Sequence, residues 1–239
     1  MGAARGLADG RDAVLLDAMG TLLGFDPPAP LLCAELARRG VTIGRDEAAV
    51  ALRAEIAYYR AHHDEAVDGA ALADLRDRCA GVLDAALPEH ARGLPDLRDV
   101  LLASLRFRAF PDVPGVLAQL RSRGAALVVV SNWDVSLHEA LATTGLAPLV
   151  DAAISSAEAG AAKPDPAIFA RALELAGGVA PERALHVGDS VEADVAGARA
   201  AGIAPVLVDR TGRAAARGLR AIADLRALVG PEGPTLQGA

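Results

Sequence analysis

A chain of 239 residues is long enough for one large domain or for a core domain with an inserted lobe. The net charge is −7 and the arginines are scattered, so binding to nucleic acid is not expected. No apolar stretch approaches the roughly 20 residues that span a bilayer, and the N-terminal residues lack the apolar core of a signal peptide. These properties predict a cytoplasmic protein with no membrane partner.

Runs rich in valine and other apolar residues predict buried parallel strands. In chain order they cover residues 13–17, 125–131, 151–155 (the weakest), 183–188 and 203–209. Helical patterns lie at residues 113–123, 135–144, 166–176 and 191–201, and each is followed by a glycine that can end a helix. Strands that alternate with helices in this way predict an α/β fold with a doubly wound, parallel, Rossmann-like sheet.

A segment rich in alanine, leucine and arginine interrupts this alternation directly after the first strand. It contains helical patterns at residues 30–39, 46–62, 70–87 and 96–108, and no predicted strand. We therefore predict a catalytic core formed by residues 1–24 and 111–239 and an inserted all-α cap domain at 25–110. One further amphipathic helix is predicted at 214–228, followed by a frayed tail.

Polar side chains follow the ends of the predicted strands. In an open parallel sheet, ligands bind beyond the carboxyl ends of the strands, so these side chains are expected to converge at one edge. The loop that contains Lys163 opens the helix before the strand predicted at 183–188 and should reach the same edge. The residues that follow the strands are Asp17, Gly20, Thr21, Ser131, Asn132, Asp189 and Asp194.

Lys163 is the only lysine among 24 basic residues, and the other 23 are arginines. An arginine-rich chain that keeps one compact ammonium group is expected to need a point charge in a tight space. The sequence therefore marks Lys163 as a candidate site residue even before its neighbours are considered.

The four segments around Asp17, Ser131, Lys163 and Asp189 resemble the four motifs of the haloacid dehalogenase-like hydrolase superfamily. The helical insertion after the first motif matches the subgroup with an α-helical cap, and the likeness runs from residue 13 to residue 209. The resemblance implies that Asp17 is a covalent nucleophile, that Ser131 and the amide of Asn132 hold phosphoryl oxygens, and that Lys163 neutralises charge.

The resemblance also implies a Mg²⁺ cofactor, because an anionic phosphoryl group would otherwise repel the attacking carboxylate. The implied ligands are Asp17, the backbone carbonyl of Met19 and Asp189, with Asp194 assisting directly or through water. Thr21, in the turn after the nucleophile, is expected to contact the substrate.

Several other polar side chains have two interpretations. Tyr58, Tyr59, Arg60, His62 and His63 cluster in the predicted cap, where they either pack or face solvent, or else contact substrate. Among them, Arg60 and His63 are the candidate substrate-binding residues. In the core, His186 is expected to be a buried residue of a strand. Asp134 is expected to cap the next helix unless it has a polar role near the site.

Met19 departs from the pattern, because phosphatases of this superfamily usually carry a second aspartate there, which protonates the leaving alcohol. Three hypotheses remain open. In the first, the chain is a phosphatase that uses another acid, such as Asp134 or a cap histidine, or that acts on good leaving groups. In the second, it is a 2-haloacid dehalogenase, whose halide needs no proton. In the third, it is a phospho-ligand-binding protein with little catalysis.

The favoured hypothesis is a Mg²⁺-dependent hydrolase of phosphatase type that acts on a small phosphorylated metabolite through an aspartyl-phosphate on Asp17. Haloacid dehalogenases work without metal, and Asp189 beside Asp17 would repel a carboxylate substrate. Phosphonatase chemistry is excluded, because the predicted cap has no lysine for a Schiff base. A slow monomeric or homodimeric enzyme with a small-molecule phosphate ester as substrate is expected.

Overall fold

This computed structural model describes residues 6–212 and 221–230. Its strands are β1 (Ala13–Leu16), β2 (Leu23–Phe25), β3 (Phe107–Ala109), β4 (Ala126–Ser131), β5 (Ala152–Ser155), β6 (Ala184–Gly188) and β7 (Ala204–Leu207). Its α-helices are α1 (Pro28–Ala37), α2 (Arg45–His62), α3 (Gly69–Ala86), α4 (Leu97–Ser104), α5 (Val113–Ser122), α6 (Leu137–Thr143), α7 (Ser156–Ala159), α8 (Pro166–Leu175) and α9 (Gly197–Ala200).

A five-stranded sheet in the order β5-β4-β1-β6-β7 forms the centre of the fold, and all neighbouring strands are parallel. Leu16 pairs with Val129 of β4 on one side and with Val187 of β6 on the other. The predicted parallel α/β core is therefore confirmed, and this register brings the carboxyl ends of the three central strands to the same level.

Both faces of the sheet are covered, because successive residues of β1 point to opposite sides. Val14 and Leu16 pack in an apolar cluster with α5 and α6, whereas Ala13 and Leu15 pack in a second cluster with α8. All four side chains are fully buried. This double burial explains why the strand is a continuous apolar run rather than an alternating one.

Helices α1–α4 surround an apolar cluster of their own, made by residues between Leu32 and Leu101. The cluster contains leucines from all four helices, among them Leu36, Leu52, Leu75 and Leu83. The predicted helices of this segment are therefore present, and their apolar faces are buried against one another.

The expectation that residues 25–110 contain no strand is wrong. β2 and β3 pair antiparallel where the chain enters and leaves this segment, and Phe25 contacts Phe107 with 4.9 Å between the ring centroids. The helix predicted at 96–108 consequently ends at Ser104. The two strands lie about 80 residues apart in the chain, so local periodicity carries no signal for their pairing.

Two other helix predictions need correction. The predicted helix at 191–201 begins as a π-helical turn over Val191–Ala196 and becomes α-helical only at Gly197–Ala200. The C-terminal helix predicted at 214–228 is not continuous, because Ile222 forms a bridge with Val208 and a short 3₁₀-helix covers Leu225–Leu228. The first part of that prediction, up to residue 220, lies outside the described residues.

None of the helices within residues 6–212 and 221–230 combines the length and the apolar character that a bilayer crossing requires.

Candidate active site

Asp17 directly follows β1, and its backbone N–H donates to the carbonyl of Val187 at 2.9 Å. The residue is only 6% exposed. The chain then turns at Gly20, whose φ of +82° lies in the left-handed region that favours glycine. A Cβ at Gly20 would lie 2.1 Å from Oδ2 of Asp189, so the missing side chain lets the two strand ends approach each other.

Lys163 reaches two carboxylates from a buried position. Its Nζ lies 2.7 Å from Oδ1 of Asp17 and 2.6 Å from Oδ1 of Asp194. The loop that carries this lysine is fixed by the side chain of Asn132, which donates to the Lys163 carbonyl at 2.9 Å and accepts from the Lys163 N–H at 2.7 Å. The side chain of Asn132 is thus used to position the lysine.

Ser131 ends β4 and donates from its buried hydroxyl to Oδ1 of Asp17 at 3.2 Å. The backbone N–H of the next residue, Asn132, has no acceptor among the described residues. The hydroxyl and this free N–H are the donors that the resemblance assigns to a phosphoryl group. The structure therefore brings Asp17, Ser131, Asn132 and Lys163 together at one end of the sheet.

Asp194 is held on all sides. Its Oδ1 contacts Nε2 of His186 at 2.9 Å in addition to Lys163, and its Oδ2 accepts from the N–H of Ser190 at 2.9 Å. Gly188 makes room for it, since a Cβ there would lie 2.1 Å from Cγ of Asp194. His186 is fully buried, as expected of a core residue, but it also anchors this carboxylate, which the sequence did not reveal.

The buried charges shift each other's pKa values. Burial raises the pKa of Asp17 to about 6, although Lys163 partly opposes this. Burial also acts on Asp194, but the charge of Lys163 and the bond from His186 outweigh it and hold the pKa of Asp194 low. Burial opposes the charged form of Lys163, yet the two carboxylates outweigh it and raise its pKa. One cation thus serves two buried carboxylates.

Asp17 and Asp194 also belong to an acidic cluster, which has the oxygen ligands of a metal site. Carboxylate oxygens of Asp17, Asp189 and Asp194 lie within 4.8 Å of one another. Burial and the charge of Asp194 raise the pKa of Asp189, while Lys163 and Arg60 oppose this rise. Crowded carboxylates of this kind fit a hard cation that takes oxygen ligands.

Three groups of the cluster accept no hydrogen bond from another residue in the described parts of the chain: Oδ2 of Asp17, the carboxylate of Asp189 and the carbonyl of Met19. Both oxygens of Asp194 are already taken by protein donors. The residues present therefore fit a divalent cation through the first three groups, with Asp194 placed to act through its neighbours.

Met19 and Thr21 differ in where they lie. The half-buried side chain of Met19 packs against the core and lines the cavity in front of Asp17. Thr21 is fully buried, and its Oγ1 has neither a partner nor contact with the cavity. Its carbonyl accepts from Arg210 at 2.7 Å. The structure therefore does not bring Thr21 to the cavity wall, and its substrate contact stays a prediction.

A cavity of about 890 Å³ lies in front of Asp17, between helices α2–α4 and the carboxyl end of the sheet. The two halves of the predicted cap cluster separate here. Tyr59, Arg60 and His63 line the cavity, whereas Tyr58 and His62 stack on each other away from it, with 4.0 Å between the ring centroids. The candidate substrate-binding residues Arg60 and His63 are thus on the cavity wall.

Asp134 connects α2 to the core. Its Oδ2 accepts from the hydroxyl of Tyr59 at 3.0 Å, and its Oδ1 accepts from the N–H of Ser136 at 2.6 Å. The helix α6 begins at Leu137 with Ser136 as its N-cap, so the expectation that Asp134 is that cap is wrong. Burial, followed by the charge of Asp134, raises the pKa of Tyr59 well above its usual range.

His63, directly after α2, is 8% exposed and has one ring nitrogen engaged. Its Nδ1 lies 2.9 Å from Oδ1 of Asp64, and the hydroxyl of Ser156 bonds to Asp64 and lies 3.4 Å from Nδ1. Among the residues that the structure describes, Nε2 has no hydrogen-bond partner. A carboxylate on Nδ1 fixes the ring and leaves Nε2 as the atom that can exchange a proton with a ligand.

Parts of the sequence are similar to curated phosphatases. A phosphoserine phosphatase from Thermus thermophilus is 42% identical over 124 residues, which are 52% of this chain and 49% of that protein. Among the first such relatives, the matched stretch spans between 35% and 58% of the relative's length. The chain therefore aligns with only part of the curated relatives it matches.

Solved structures match over most of the chain. A haloacid dehalogenase superfamily phosphatase from Thermococcus onnurineus has a TM-score of 0.60 and 27% identity, covering 91% of this chain and 95% of that one. An L-2-haloacid dehalogenase from Xanthobacter autotrophicus has a TM-score of 0.59 and 23% identity, with 93% and 90% covered, and so shows the fold alone. A model of the haloacid dehalogenase-like hydrolases matches residues 11–202. The chain belongs to the haloacid dehalogenase-like hydrolase family.

Proposed function

We propose that this hydrolase is a Mg²⁺-dependent phosphatase that cleaves a small phosphate monoester through a phosphoryl group transferred to Asp17. The observation that carries the proposal is the buried contact between Lys163 and Asp17 beside unpartnered oxygens. The phosphatase relatives support the same type of reaction.

Each core residue has a defined task in this mechanism. Asp17 attacks phosphorus and displaces the alcohol; water then attacks the phosphorus of the aspartyl-phosphate, which releases phosphate and restores the carboxylate. Lys163 offsets the negative charge that the carboxylate and the phosphoryl group share. The hydroxyl of Ser131 and the free N–H of Asn132 hold non-bridging oxygens. Arg60, whose charge already acts on Asp189, adds a cation from the cavity side.

Mg²⁺ would be held by Asp17, the carbonyl of Met19 and Asp189. When bound, it would neutralise phosphoryl charge and so permit the approach of the carboxylate. Asp194 keeps Lys163 and the Ser190 backbone in place around this set.

The proton for the leaving alcohol needs a source other than Met19. Asp134 is poorly suited, because both of its oxygens already accept hydrogen bonds. We assign this role to His63, whose Nε2 is free and whose ring lines the same cavity as Asp17. General acid help of this kind is typically worth about 10²–10⁴-fold in rate.

The matched pair of cap histidines tests this assignment. In His63→Asn, hydrolysis of an alkyl phosphate should fall about 100-fold, whereas hydrolysis of an activated aryl phosphate should change by less than about threefold, since its leaving group needs no proton. His62→Asn, whose ring lies outside the cavity, should behave like the wild type. Equal losses of rate on the alkyl and the aryl phosphate would show that His63 does not donate the proton to the leaving group.

Two alternatives remain and have distinct outcomes. A phospho-ligand-binding protein would bind phosphate esters without releasing phosphate. A 2-haloacid dehalogenase would release halide in a chelator, but the negative charge that Asp17, Asp189 and Asp194 leave after pairing with one lysine disfavours a carboxylate substrate.

The decisive experiment measures phosphate released from an activated aryl phosphate by the wild type and by Asp17→Asn, with Mg²⁺ and with a chelator. We expect release by the wild type only with the metal, and a loss of at least about 10³-fold in Asp17→Asn. Equal rates for the two proteins would overturn the proposal, and metal-free halide release from a 2-haloacid would favour dehalogenation. Cytoplasmic location and a monomeric or homodimeric state stay predictions.

A further inference from the structure

A carboxyl group in the cavity has no use in the reaction described above. Glu55 lies on α2, is 3% exposed and lines the cavity. Its Oε2 is buried and has no hydrogen-bond partner. Glu55 and Tyr59 are spaced four residues apart on α2, so the helix directs both to the same side, and His63 directly after the helix lines the same cavity. This side is the one that faces the reacting groups.

An unpartnered buried carboxyl group is costly for a fold. Burial raises the pKa of Glu55 to about 7, and only the buried thiol of Cys79 partly opposes this. A second buried glutamate of the same helical segment, Glu35, is paired with Arg38 and Arg39. The chain thus supplies two cations to Glu35 and none to Glu55, whose carboxyl group is bonded only to the Cys79 thiol among the described residues and whose Oε2 has no partner.

The arginines that line the cavity near α2 interact with other carboxylates than that of Glu55. Arg76 lines the cavity but forms its ion pair with Glu139 at 3.3 Å, and Arg60 acts on Asp189 instead. In the part of the chain that the structure describes, no basic group forms an ion pair with Glu55. The partner of its carboxyl group is therefore sought in a ligand.

Apolar side chains form one part of the cavity wall: Ile56, Leu75, Leu101, Leu102 and Leu105. A volume of about 890 Å³ is within the range of small-molecule sites. The apolar part of the wall fits a hydrocarbon body, and Glu55 can accept a hydrogen bond from a donor at the end of that body.

We propose that Glu55 is the acceptor of a leaving-group subsite, which selects phosphate monoesters whose alcohol half has an apolar body and a terminal N–H or O–H donor. The subsite rests on the proposed phosphatase function, because the phosphoryl group at Asp17 sets the direction in which the alcohol half extends. Substrates that lack the donor leave the Glu55 carboxyl group unsatisfied and are disfavoured.

The test compares matched phosphate monoesters of hexanol, 1,6-hexanediol and 6-aminohexanol, with four-carbon analogues to vary the reach. For the wild type, KM for the best donor-bearing ester should be about 10–100-fold lower than for the plain alkyl ester, the range of a hydrogen bond to a charged group. The amino and hydroxy esters distinguish a cationic donor from a neutral one. kcat should differ much less than KM.

Glu55→Leu should abolish the preference to within about threefold, measured as the ratio of KM values for the plain and the donor-bearing ester. It should also raise the melting temperature, because an unpartnered carboxyl group is replaced by a side chain that matches the apolar wall. Glu47→Gln, an exposed change in the same helix that keeps the capping function, should leave KM for every ester unchanged.

A wild type that hydrolyses aryl phosphate but shows no donor preference would overturn the subsite and leave the phosphatase proposal standing. So would a preference that persists in Glu55→Leu. If no ester is hydrolysed, the phosphatase proposal fails by itself. The subsite is then judged by the binding of hexyl and 6-aminohexyl phosphate in calorimetry, where equal affinities refute it.

Discussion

Replacing Lys163 by methionine removes the single cation from a buried group of carboxylates. Its Nζ lies 2.7 Å from Asp17 and 2.6 Å from Asp194, and all three side chains are almost completely buried. Removing one partner of a buried ion pair typically costs about 3–5 kcal/mol, because the remaining charge is left uncompensated. We expect a loss of this size at pH 7, measured by urea unfolding in a chelator with Trp133, the only tryptophan, as fluorescent reporter.

The loss should depend on pH with a definite sign. In the wild type, the raised pKa of Asp17, about 6, makes its ionisation unfavourable to folding, whereas the lowered pKa of Asp194 stabilises the fold above its unfolded value of 3.8. Without Lys163 both carboxyl groups lose their opposing cation and their pKa values rise. Stability of the variant should therefore fall as pH rises from 5 to 7, and its deficit relative to the wild type should grow.

An exposed ion pair supplies the matched control. Arg171→Met breaks a solvent-exposed pair with Glu174 and should lose less than about 1 kcal/mol. If Lys163→Met loses no more than this control, or loses less at pH 7 than at pH 5, the electrostatic account of the buried group is refuted.

Three further changes test separate parts of the site. Gly20→Ala should weaken Mg²⁺ binding at least about tenfold in calorimetry, because the new Cβ would lie 2.1 Å from Oδ2 of Asp189. Unchanged binding would show that the metal site does not depend on this turn. Met19→Asp should raise turnover of alkyl phosphates about 10–100-fold and hardly alter aryl phosphates, and a lack of change would mean that another residue already supplies the proton fully. Tyr59→Phe removes the bond to Asp134 and should lower stability by about 0.5–1.5 kcal/mol with faster hydrogen exchange in α2, whereas unaltered exchange would show that the bond does not hold the helix.

The sequence was sufficient where one local pattern carried the structural information. The apolar run at 13–16 predicted a doubly buried strand, and the solitary Lys163 predicted a tight charged site. Both depend on residue types within a short window. The convergence of Asp17, Ser131 and Asp189 followed from the rule that parallel strands share an edge.

Features that join distant segments could not be predicted in this way. His186 looks like any residue of a buried strand, and only the fold brings its Nε2 to Asp194. Thr21 was expected on the cavity wall but is fully buried, and its carbonyl accepts from Arg210, almost two hundred residues later in the chain. The unpartnered state of Glu55 is likewise invisible in a helical pattern, which records that a position is buried but not what it faces.

The central place of β1 has a consequence for how the molecule is assembled. Its neighbours β4 and β6 lie more than a hundred residues later in the chain, whereas the apolar cluster of α1–α4 is completed by residues 32–101 alone. During synthesis, the strand that delivers Asp17 is therefore made before both of its neighbours and stays unpaired until helices α1–α4 have been made. Asp17 and Lys163 consequently meet only after those helices are complete.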